Sequence, residues 1–294
     1  MSGGTVPASG TNSPDTSVVP ELPEVEITRR HLSDALAGRT LAAVEIRHER
    51  TTRYNASISE VASRLTGRRV IAVGRRGKFL EISLDDGQTM VVHLGMSGRW
   101  AIDPLTEAPH THFVATLDDG TRVAYVDPRT FGFVAVYDED DIEDSGSRRV
   151  GPDAWASPPT VVELTRALDG RTAPIKALLL DQRPMSGLGN IYADEVLFRA
   201  GIHPATPGGN VDSDALNRLM DAVREVLGAA IEAGGTTLDD LAYLLPDGRA
   251  GENLSQIAIY GREGEPCDRC GTLIERVVIR ARSSHFCPSC QPAP

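Results

Sequence analysis

The sequence has no apolar stretch that approaches the ~20 residues a membrane-spanning helix needs. Its N-terminus also lacks the basic segment and apolar run of a secretory signal. Cysteine is scarce, and its four copies all fall in the last 28 residues. Such clustering favours a metal site in a reducing compartment over a disulfide framework. We therefore expect a cytoplasmic protein without membrane contact.

A surplus of positive charge is also missing, since the net charge is −11. This total argues against a polyanionic partner, but binding depends on where the charges lie. The segment 67–78 contains five basic residues and no acidic one, whereas 138–144 contains six carboxylates. We expect the first segment to form a basic patch and the second to be a solvated loop. The basic residues are Arg68, Arg69, Arg75, Arg76 and Lys78.

A length of 294 residues favours two domains. Residues 1–19 are small and polar, which predicts a disordered tail. An apolar stripe over 22–36 predicts a helix. Short β-like runs follow to about Val136, and two of them end in Asp-Asp-Gly, a hairpin turn sequence. These strands indicate a sandwich or barrel.

The second half of the chain changes to helical periodicity after a proline-rich boundary at Pro158 and Pro159. Asp212 or Ser213 is suited to cap a helix that Gly234 and Gly235 end. Strands followed by helices predict an α+β protein.

The cysteines form a Cys-x2-Cys-x16-Cys-x2-Cys pattern, which fits a tetrahedral zinc site. The alternating residues between the two pairs predict a β-hairpin zinc finger. Four thiolates leave no open coordination position, so we expect one structural zinc. An alternative metal pair, His110 and His112, has no third ligand nearby in sequence. The zinc ligands are Cys267, Cys270, Cys287 and Cys290.

Two further motifs are ambiguous by themselves. In GLGNIYADE (187–195), a glycine turn opens a helix, so Asn190 and free backbone N–H groups could bind a phosphate, or could form an ordinary helix start. PELPEVE (20–26) has a proline and acidic residues suited to a helix N-terminus.

Together these motifs make the chain resemble the formamidopyrimidine-DNA glycosylase family, relatives of the endonuclease VIII glycosylases. The likeness runs from Pro20 to Gln291 and includes RRGKFL (75–80), HLGMSG (93–98), DPRTFG (127–132), YGREGEPC (260–267) and the cysteine module. It implies a catalytic β-sandwich with an N-terminal helix (20–150), a helix-two-turn-helix domain (151–257) and a zinc finger (258–294). It also implies a monomer acting on damaged double-stranded DNA.

The resemblance implies four catalytic residues. Pro20 matches the amine that attacks the sugar C1′, expels an oxidised purine and forms a Schiff base, from which the strand is cut by β,δ-elimination. Glu21 matches the proton donor. Lys78 and Arg282 match residues of phosphate binding and elimination; since arginine hardly releases a proton, charge stabilisation is the safer role for Arg282.

The resemblance also implies DNA contacts. Met96, Arg129 and Phe131 match side chains that fill the gap left by an everted nucleotide. His110, Arg171 and Asn190 match backbone contacts. The chain departs from many relatives at Thr130, where they carry a second arginine, and this weakens the expectation for one backbone contact.

A larger departure is the tail, because Pro20 is internal and its nitrogen lies in an amide. Translation could start at Val19 with removal of the initiator methionine, the tail could be cleaved, or catalysis could have been lost. We favour the start at Val19.

Two rival functions stay open: an enzyme for oxidised pyrimidines of the endonuclease VIII type, and a non-enzymatic zinc-finger DNA-binding protein. The segment 236–258 resembles a loop that closes over 8-oxoguanine, and it favours the purine enzyme over the pyrimidine one.

Overall fold

A computed structural model of the chain describes residues 20–237 and 243–294. The predicted disordered tail, 1–19, and part of the predicted lesion loop, 238–242, lie outside the described residues. None of the described helices has the length and apolar character needed to cross a membrane. The domain bounds given above stay a prediction.

The first part of the chain forms a β-sandwich entered through helix α1 (Leu22–Leu36). One antiparallel sheet has the strand order β1-β6-β7-β5 and the other has the order β2-β3-β4-β8. Both Asp-Asp-Gly turns close hairpins, β3–β4 and β6–β7, as predicted. The strands are β1 (Leu41–Ile46), β2 (Val70–Arg76), β3 (Phe79–Leu84), β4 (Thr89–His93), β5 (Arg99–Ile102), β6 (Thr111–Leu117), β7 (Arg122–Val126) and β8 (Phe133–Tyr137).

The second part is helical and leads into a two-stranded hairpin, so the predicted α+β class and element order are confirmed. The Asp212 side chain accepts from the Ala215 N–H at 2.8 Å and caps the long helix as predicted. The elements are α3 (Val161–Leu168), α4 (Ile175–Leu180), α5 (Asn190–Ala200), α6 (Ser213–Glu232), β9 (Glu275–Ile279) and β10 (Arg282–Phe286).

Helix α2 (Ile58–Leu65) interrupts a region whose sequence pattern had indicated strands. The Ser57 hydroxyl accepts from the Glu60 N–H at 3.1 Å, and the Glu60 carboxylate accepts from the Ala56 N–H. This Ser-x-x-Glu pattern is a helix-start signal that sequence reasoning overlooked.

Helix α1 joins the two hydrophobic cores. Its Leu22 packs into the core of the helical part, whereas Val25, Leu32 and Leu36 pack into the sandwich core around Trp100. The four leucine and valine side chains are at most 2% exposed. A shift of this one helix would therefore open apolar surface in both cores.

The predicted basic patch at 67–78 is partly wrong. The Arg75 side chain is only 2% exposed and is sandwiched between Glu26 of α1 (Nε to Oε2, 3.0 Å) and Asp153 (Nη1 to Oδ2, 2.5 Å). Arg68 pairs with Asp86 at 2.9 Å. Carboxylates distant in sequence supply the neutralising charge, so Arg75 ties the two halves together and does not face a partner.

Replacing Arg75 by methionine should leave the buried Asp153 carboxylate without its charged partner, whereas Glu26 keeps two other arginine partners. Because an uncompensated buried charge is costly, we expect the free energy of unfolding to fall by about 3–5 kcal/mol. Urea unfolding followed by tryptophan fluorescence measures this. The matched control is Arg183→Met, which removes a 73% exposed partner of Asp181 and should cost less than about 1 kcal/mol. Equal losses for the two variants would contradict the assigned role of Arg75.

Candidate active site

The candidate site is built around the carboxylate of Glu21, which is 2% exposed and lies at the N-terminus of α5. It accepts from the backbone N–H groups of Gly189 (2.6 Å), Ile191 (2.9 Å) and Tyr192 (3.2 Å). The first N–H groups of a helix have no partner within it and attract negative charge. The hypothesis that these groups are free to bind a phosphate is therefore wrong, because Glu21 already occupies them.

The close approach of Glu21 to α5 depends on glycine. A Cβ at Gly189 would lie 2.3 Å from Cδ of Glu21, and one at Gly187 would lie 2.3 Å from Cδ1 of Leu22. The Leu22 N–H in turn donates to the Gly187 carbonyl at 3.0 Å. The glycines of the 187–195 motif thus act by letting the start of α1 dock on α5.

Burial raises the pKa of Glu21 to about 7, against the opposing effects of the Lys78 charge and of the N–H donors. Burial likewise lowers the pKa of Lys78; the charges of Glu21 and Glu24 oppose this shift and the charge of Arg282 adds to it. Lys78 sits in the β2–β3 turn and Arg282 begins β10. The structure thus brings three of the four predicted catalytic side chains, Glu21, Lys78 and Arg282, into one electrostatic group.

Pro20, the fourth, is buried and immediately precedes Glu21. The turn between them is held by Glu24, whose Oε2 accepts from the Glu21 N–H at 2.9 Å. Its Oε1 accepts from the Tyr192 hydroxyl (2.7 Å) and the Thr236 N–H (2.8 Å). Burial raises the pKa of Glu24 as well. Sequence reasoning missed this residue, although the Glu-x-x-Glu spacing at a helix start was a usable signal.

The first turn of α5 also contacts the hairpin. Nδ2 of Asn190 lies 3.2 Å from Oγ of Ser283, the residue after Arg282. Among the described residues, Oδ1 of this 5% exposed side chain has no partner. Exchanging the amide oxygen and nitrogen would let the Ser283 hydroxyl donate to Oδ1 and would leave Nδ2 as a free donor. The position of this donor is itself buried.

A buried ion pair fixes the hairpin on the helices. Nζ of Lys176 lies 2.6 Å from Oδ1 of Asp194, and both side chains are fully buried. Lys176 also donates to the Ser283 carbonyl, and Asp194 accepts from the Ser284 hydroxyl and the His285 N–H. Each charge is thus compensated by its partner and by hydrogen bonds, and the start of β10 is fixed beside α5.

The remaining predicted residues lie on the sandwich or near α3. Met96 is half-buried, and the exposed Arg129 guanidinium lies 5.0 Å from the centre of the 43% exposed Phe131 ring. His110 is exposed just before β6. Arg171 is exposed in the turn after α3, close enough to Asp181 to lower the pKa of that carboxyl after the larger effect of Arg183.

His93, at the end of β4, is a site neighbour that sequence reasoning passed over within HLGMSG. Burial lowers its pKa to about 4, and the charges of Lys78 and Arg53 add to this effect. Its Nδ1 accepts from the Gly95 N–H at 3.0 Å. A neutral His93 therefore shapes the turn that presents Met96.

The four cysteine thiols of the hairpin lie within 4.8 Å of one another. This geometry fits one tetrahedral zinc held by thiolates, with no open position for a substrate. Strands β9 and β10 pair between the two cysteine pairs as predicted. Among the residues that the structure describes, the four cysteines are the group of side chains placed to hold a metal ion. His110 and His112 belong to no such group. The zinc is structural.

Comparison with known proteins places all three parts of the chain. Family models match for the formamidopyrimidine-DNA glycosylase N-terminal domain (19–134), its H2TH domain (150–241) and a zinc finger found in FPG and IleRS (264–293). The formamidopyrimidine-DNA glycosylase of Rhizorhabdus wittichii is 47% identical over 274 residues, which cover 93% of this chain and 100% of that protein.

Two solved structures show the same architecture. The MutM (Fpg) protein from Thermus thermophilus gives a TM-score of 0.84 at 41% identity, covering 94% of this chain and 100% of that one. The Lactococcus lactis Fpg, in complex with a DNA containing N7-benzyl-Fapy-dG, gives 0.84 at 30% identity, covering 93% and 100%.

Replacing Gly189 by alanine should push the Glu21 carboxylate off the α5 N-terminus, since the new Cβ would overlap Cδ. We expect the free energy of unfolding to fall by about 1–3 kcal/mol, as in other overpacked sites. Thermal and urea unfolding measure the loss. The control is Gly228→Ala inside α6, where the Cβ would meet the Trp155 ring at 3.3 Å and helix propensity favours alanine. An unchanged stability for the Gly189 variant would show that the Glu21 contact is dispensable to the fold.

Proposed function

This chain belongs to the formamidopyrimidine-DNA glycosylase family, and on that premise we propose that it excises oxidised purines, 8-oxoguanine and formamidopyrimidines, from duplex DNA and cuts the abasic strand. The family consists of base-excision repair glycosylases with abasic-site lyase activity. The observation that carries the proposal is the buried Glu21 carboxyl, with a pKa of about 7, directly after Pro20 and beside Lys78.

In the proposed reaction, the lone pair of the Pro20 nitrogen forms a bond to C1′ of the damaged nucleotide. The bond from C1′ to the base breaks, its electron pair leaves with the base, and Glu21 supplies a proton at the sugar as the ring opens. The proton that the Pro20 nitrogen loses neutralises the released base, and the product is an iminium between Pro20 and C1′. A donor with a pKa near the working pH is suited to this transfer, and the burial of Glu21 supports that role.

The iminium then acts as an electron sink. Loss of a C2′ proton expels the 3′ phosphate, and a second elimination expels the 5′ phosphate. Lys78 and Arg282 would stabilise the phosphate charge, and Lys78 can exchange protons because burial lowers its pKa. Hydrolysis of the iminium restores the Pro20 amine.

The reaction requires Pro20 to be an N-terminal amine, and in the 294-residue chain its nitrogen lies in a peptide bond. The active form in this proposal begins at Pro20, made by translation from Val19 and removal of the initiator residue. Two observations support it: the family match begins at residue 19, and 274 residues of this chain span the whole Rhizorhabdus wittichii relative.

Duplex DNA in this proposal lies against three groups of residues. Met96, Arg129 and Phe131 would fill the gap left by the everted nucleotide, and the exposure of Arg129 and Phe131 supports this. Asn190 would donate to a phosphate beside Arg282, while His110 and Arg171 would contact the backbone elsewhere. We place the enzyme in the cytoplasm, since thiolate ligands suit a reducing compartment. That it acts as a monomer rests on the family resemblance alone.

The proline mechanism predicts a covalent adduct. A chain beginning at Pro20 should be trapped by borohydride on a duplex with 8-oxoguanine opposite cytosine, because reduction converts the iminium into a stable amine. Replacing Pro20 by glycine in that short chain should weaken trapping while binding to the duplex is retained. Gel electrophoresis measures the adduct.

The full chain with Met1 intact is the matched control and should give no adduct, because its Pro20 nitrogen is an amide. Equal trapping of the two chains would exclude the proline mechanism. A duplex with thymine glycol tests the pyrimidine alternative, and preferred excision of that base would contradict the purine assignment. Binding without any adduct would indicate a non-enzymatic DNA-binding protein.

The pKa of Glu21 sets an expected pH dependence. An unperturbed α-amine titrates at about 7.7–8, so the Pro20 amine is mostly unprotonated above pH 8. Glu21, with a pKa of about 7, is mostly ionised by pH 8, and its remaining protonated fraction falls about tenfold with each further pH unit. Single-turnover excision should therefore fall about tenfold per pH unit above pH 8. A rate that stays level to pH 9.5 would exclude Glu21 as the donor.

A further inference from the structure

The three gap-filling side chains stand on two loops, 94–98 with Met96 and 127–132 with Arg129 and Phe131, here called the wedge loops. Their tips are exposed or half-buried, whereas Asp127 at their base is 1% exposed. Oδ1 of Asp127 accepts from the Ser97 hydroxyl at 2.5 Å, and Oδ2 accepts from the Gly132 N–H at 2.8 Å. One carboxylate therefore binds both loops.

The bridge extends through Ser97. Its hydroxyl oxygen accepts from the Arg129 N–H at 3.1 Å while the hydroxyl proton goes to Asp127. The Tyr125 hydroxyl donates to Oδ2 of Asp127 at 3.3 Å. Ser97, in the loop 94–98, thus positions the Arg129 backbone directly. Asp127, in the loop 127–132, in turn fixes the Ser97 side chain.

Glycines bring the backbones of the two loops into contact. A Cβ at Gly95 would lie 2.4 Å from the Gly132 nitrogen, and Cβ atoms at Gly98 and Gly132 would lie 2.3 and 1.8 Å from the Tyr125 hydroxyl oxygen. At Gly95 the backbones of the two loops touch, and at Gly98 and Gly132 the Tyr125 hydroxyl fills the space that a Cβ would need. Such backbone packing leaves little room for one loop to move without the other.

The loop 127–132 has a strained backbone, and a residue outside the two wedge loops, Arg53, holds it in place. Thr130 has a φ of 54°, a costly conformation for a β-branched residue. Its N–H donates to the Asp127 carbonyl at 3.2 Å. The Arg53 guanidinium donates to the carbonyls of Gly132 (2.6 Å) and Phe131 (2.7 Å) and lies 5.3 Å from the Phe133 ring centre. The surroundings thus determine the shape of this loop.

From this geometry we propose that Asp127 is a positioning residue that joins the wedge loops into one preformed unit, so that Met96, Arg129 and Phe131 enter the duplex together. The inference rests on the proposed DNA-binding function. Entry of side chains into the base stack costs a few kcal/mol of unstacking. Wedge loops that are already ordered do not lose further conformational entropy at that step. The side chains therefore enter the stack faster, and the resulting complex is tighter.

The test uses a duplex with a tetrahydrofuran abasic analogue opposite 2-aminopurine, whose fluorescence changes when side chains enter the stack. Asp127→Asn keeps the shape but replaces one acceptor oxygen by a donor that faces existing donors. We expect the fluorescence change to slow or weaken by about tenfold or more, the scale of a lost hydrogen bond to a charged group. Binding to undamaged duplex and zinc content should stay within twofold.

Ser97→Ala is the milder second variant, because it removes only the bridging hydroxyl. If the loops act as one unit, the effects of Ser97→Ala and Asp127→Asn should be less than additive in the double variant. The matched control is Val123→Ala, which truncates a buried side chain at the other end of β7. It should lower thermal stability without changing the fluorescence response.

The proposal is overturned if Asp127→Asn changes the response no more than Val123→Ala does, or if binding to undamaged duplex falls in parallel. Additive effects of the two wedge variants, or a wild-type protein without a fluorescence response, also overturn it. The assay needs neither excision nor a free Pro20 amine. If the chain that begins at Pro20 gives the fluorescence response but is not trapped on 8-oxoguanine, the proposed catalysis is refuted and the wedge inference stands.

Discussion

The contact on which the molecule most depends is that of the Glu21 carboxylate with the N-terminus of α5. Three N–H groups of one domain bind an acid of the other, and this acid stands at the start of the helix that packs into both cores. Charge at a helix N-terminus is favourable, but the acid is also buried. Domain docking and the placement of the proposed proton donor are therefore the same interaction.

The elevated pKa of Glu21 has a consequence for stability. A rise from 4.5 to about 7 corresponds to about 3 kcal/mol between the protonated and ionised forms. Because the folded pKa is the higher one, this contribution is fully present below pH 4.5 and is lost as pH rises through 7. Burial thus disfavours the ionised form of Glu21, whereas the α5 N–H groups and the Lys78 charge favour it. Near pH 7 these opposing effects leave the protonated and ionised forms similarly populated. A proton donor at neutral pH requires this balance.

Local signals in the sequence predicted the features that local chemistry determines. The Asp212 cap, the two Asp-Asp-Gly hairpins and the cysteine hairpin need only neighbouring residues. Contacts between distant residues were not predictable in this way. Arg75 belongs to a basic run in the sequence, and only the fold brings Glu26 and Asp153 against it. The α5 N–H groups follow a glycine turn in the sequence, and only the fold places Glu21 on them. The sequence shows Asp127 as the first residue of DPRTFG but does not predict its positioning role, since that role depends on Ser97, thirty residues away.

Helix α5 also resolves the apparent conflict between an acidic chain and a polyanionic substrate. The net charge of −11 is an average over the surface, whereas Lys78, Lys176 and Arg282 lie close enough to Glu21 or to one another to shift pKa values around the first turn of α5. The zinc hairpin, held on α5 by Lys176 and Asp194, contributes Arg282 to this cluster. A bound phosphate responds to the local field far more than to charges beyond a Debye length of roughly 10 Å. What matters for DNA is therefore the assembly of distant segments on one helix, which the total charge does not report.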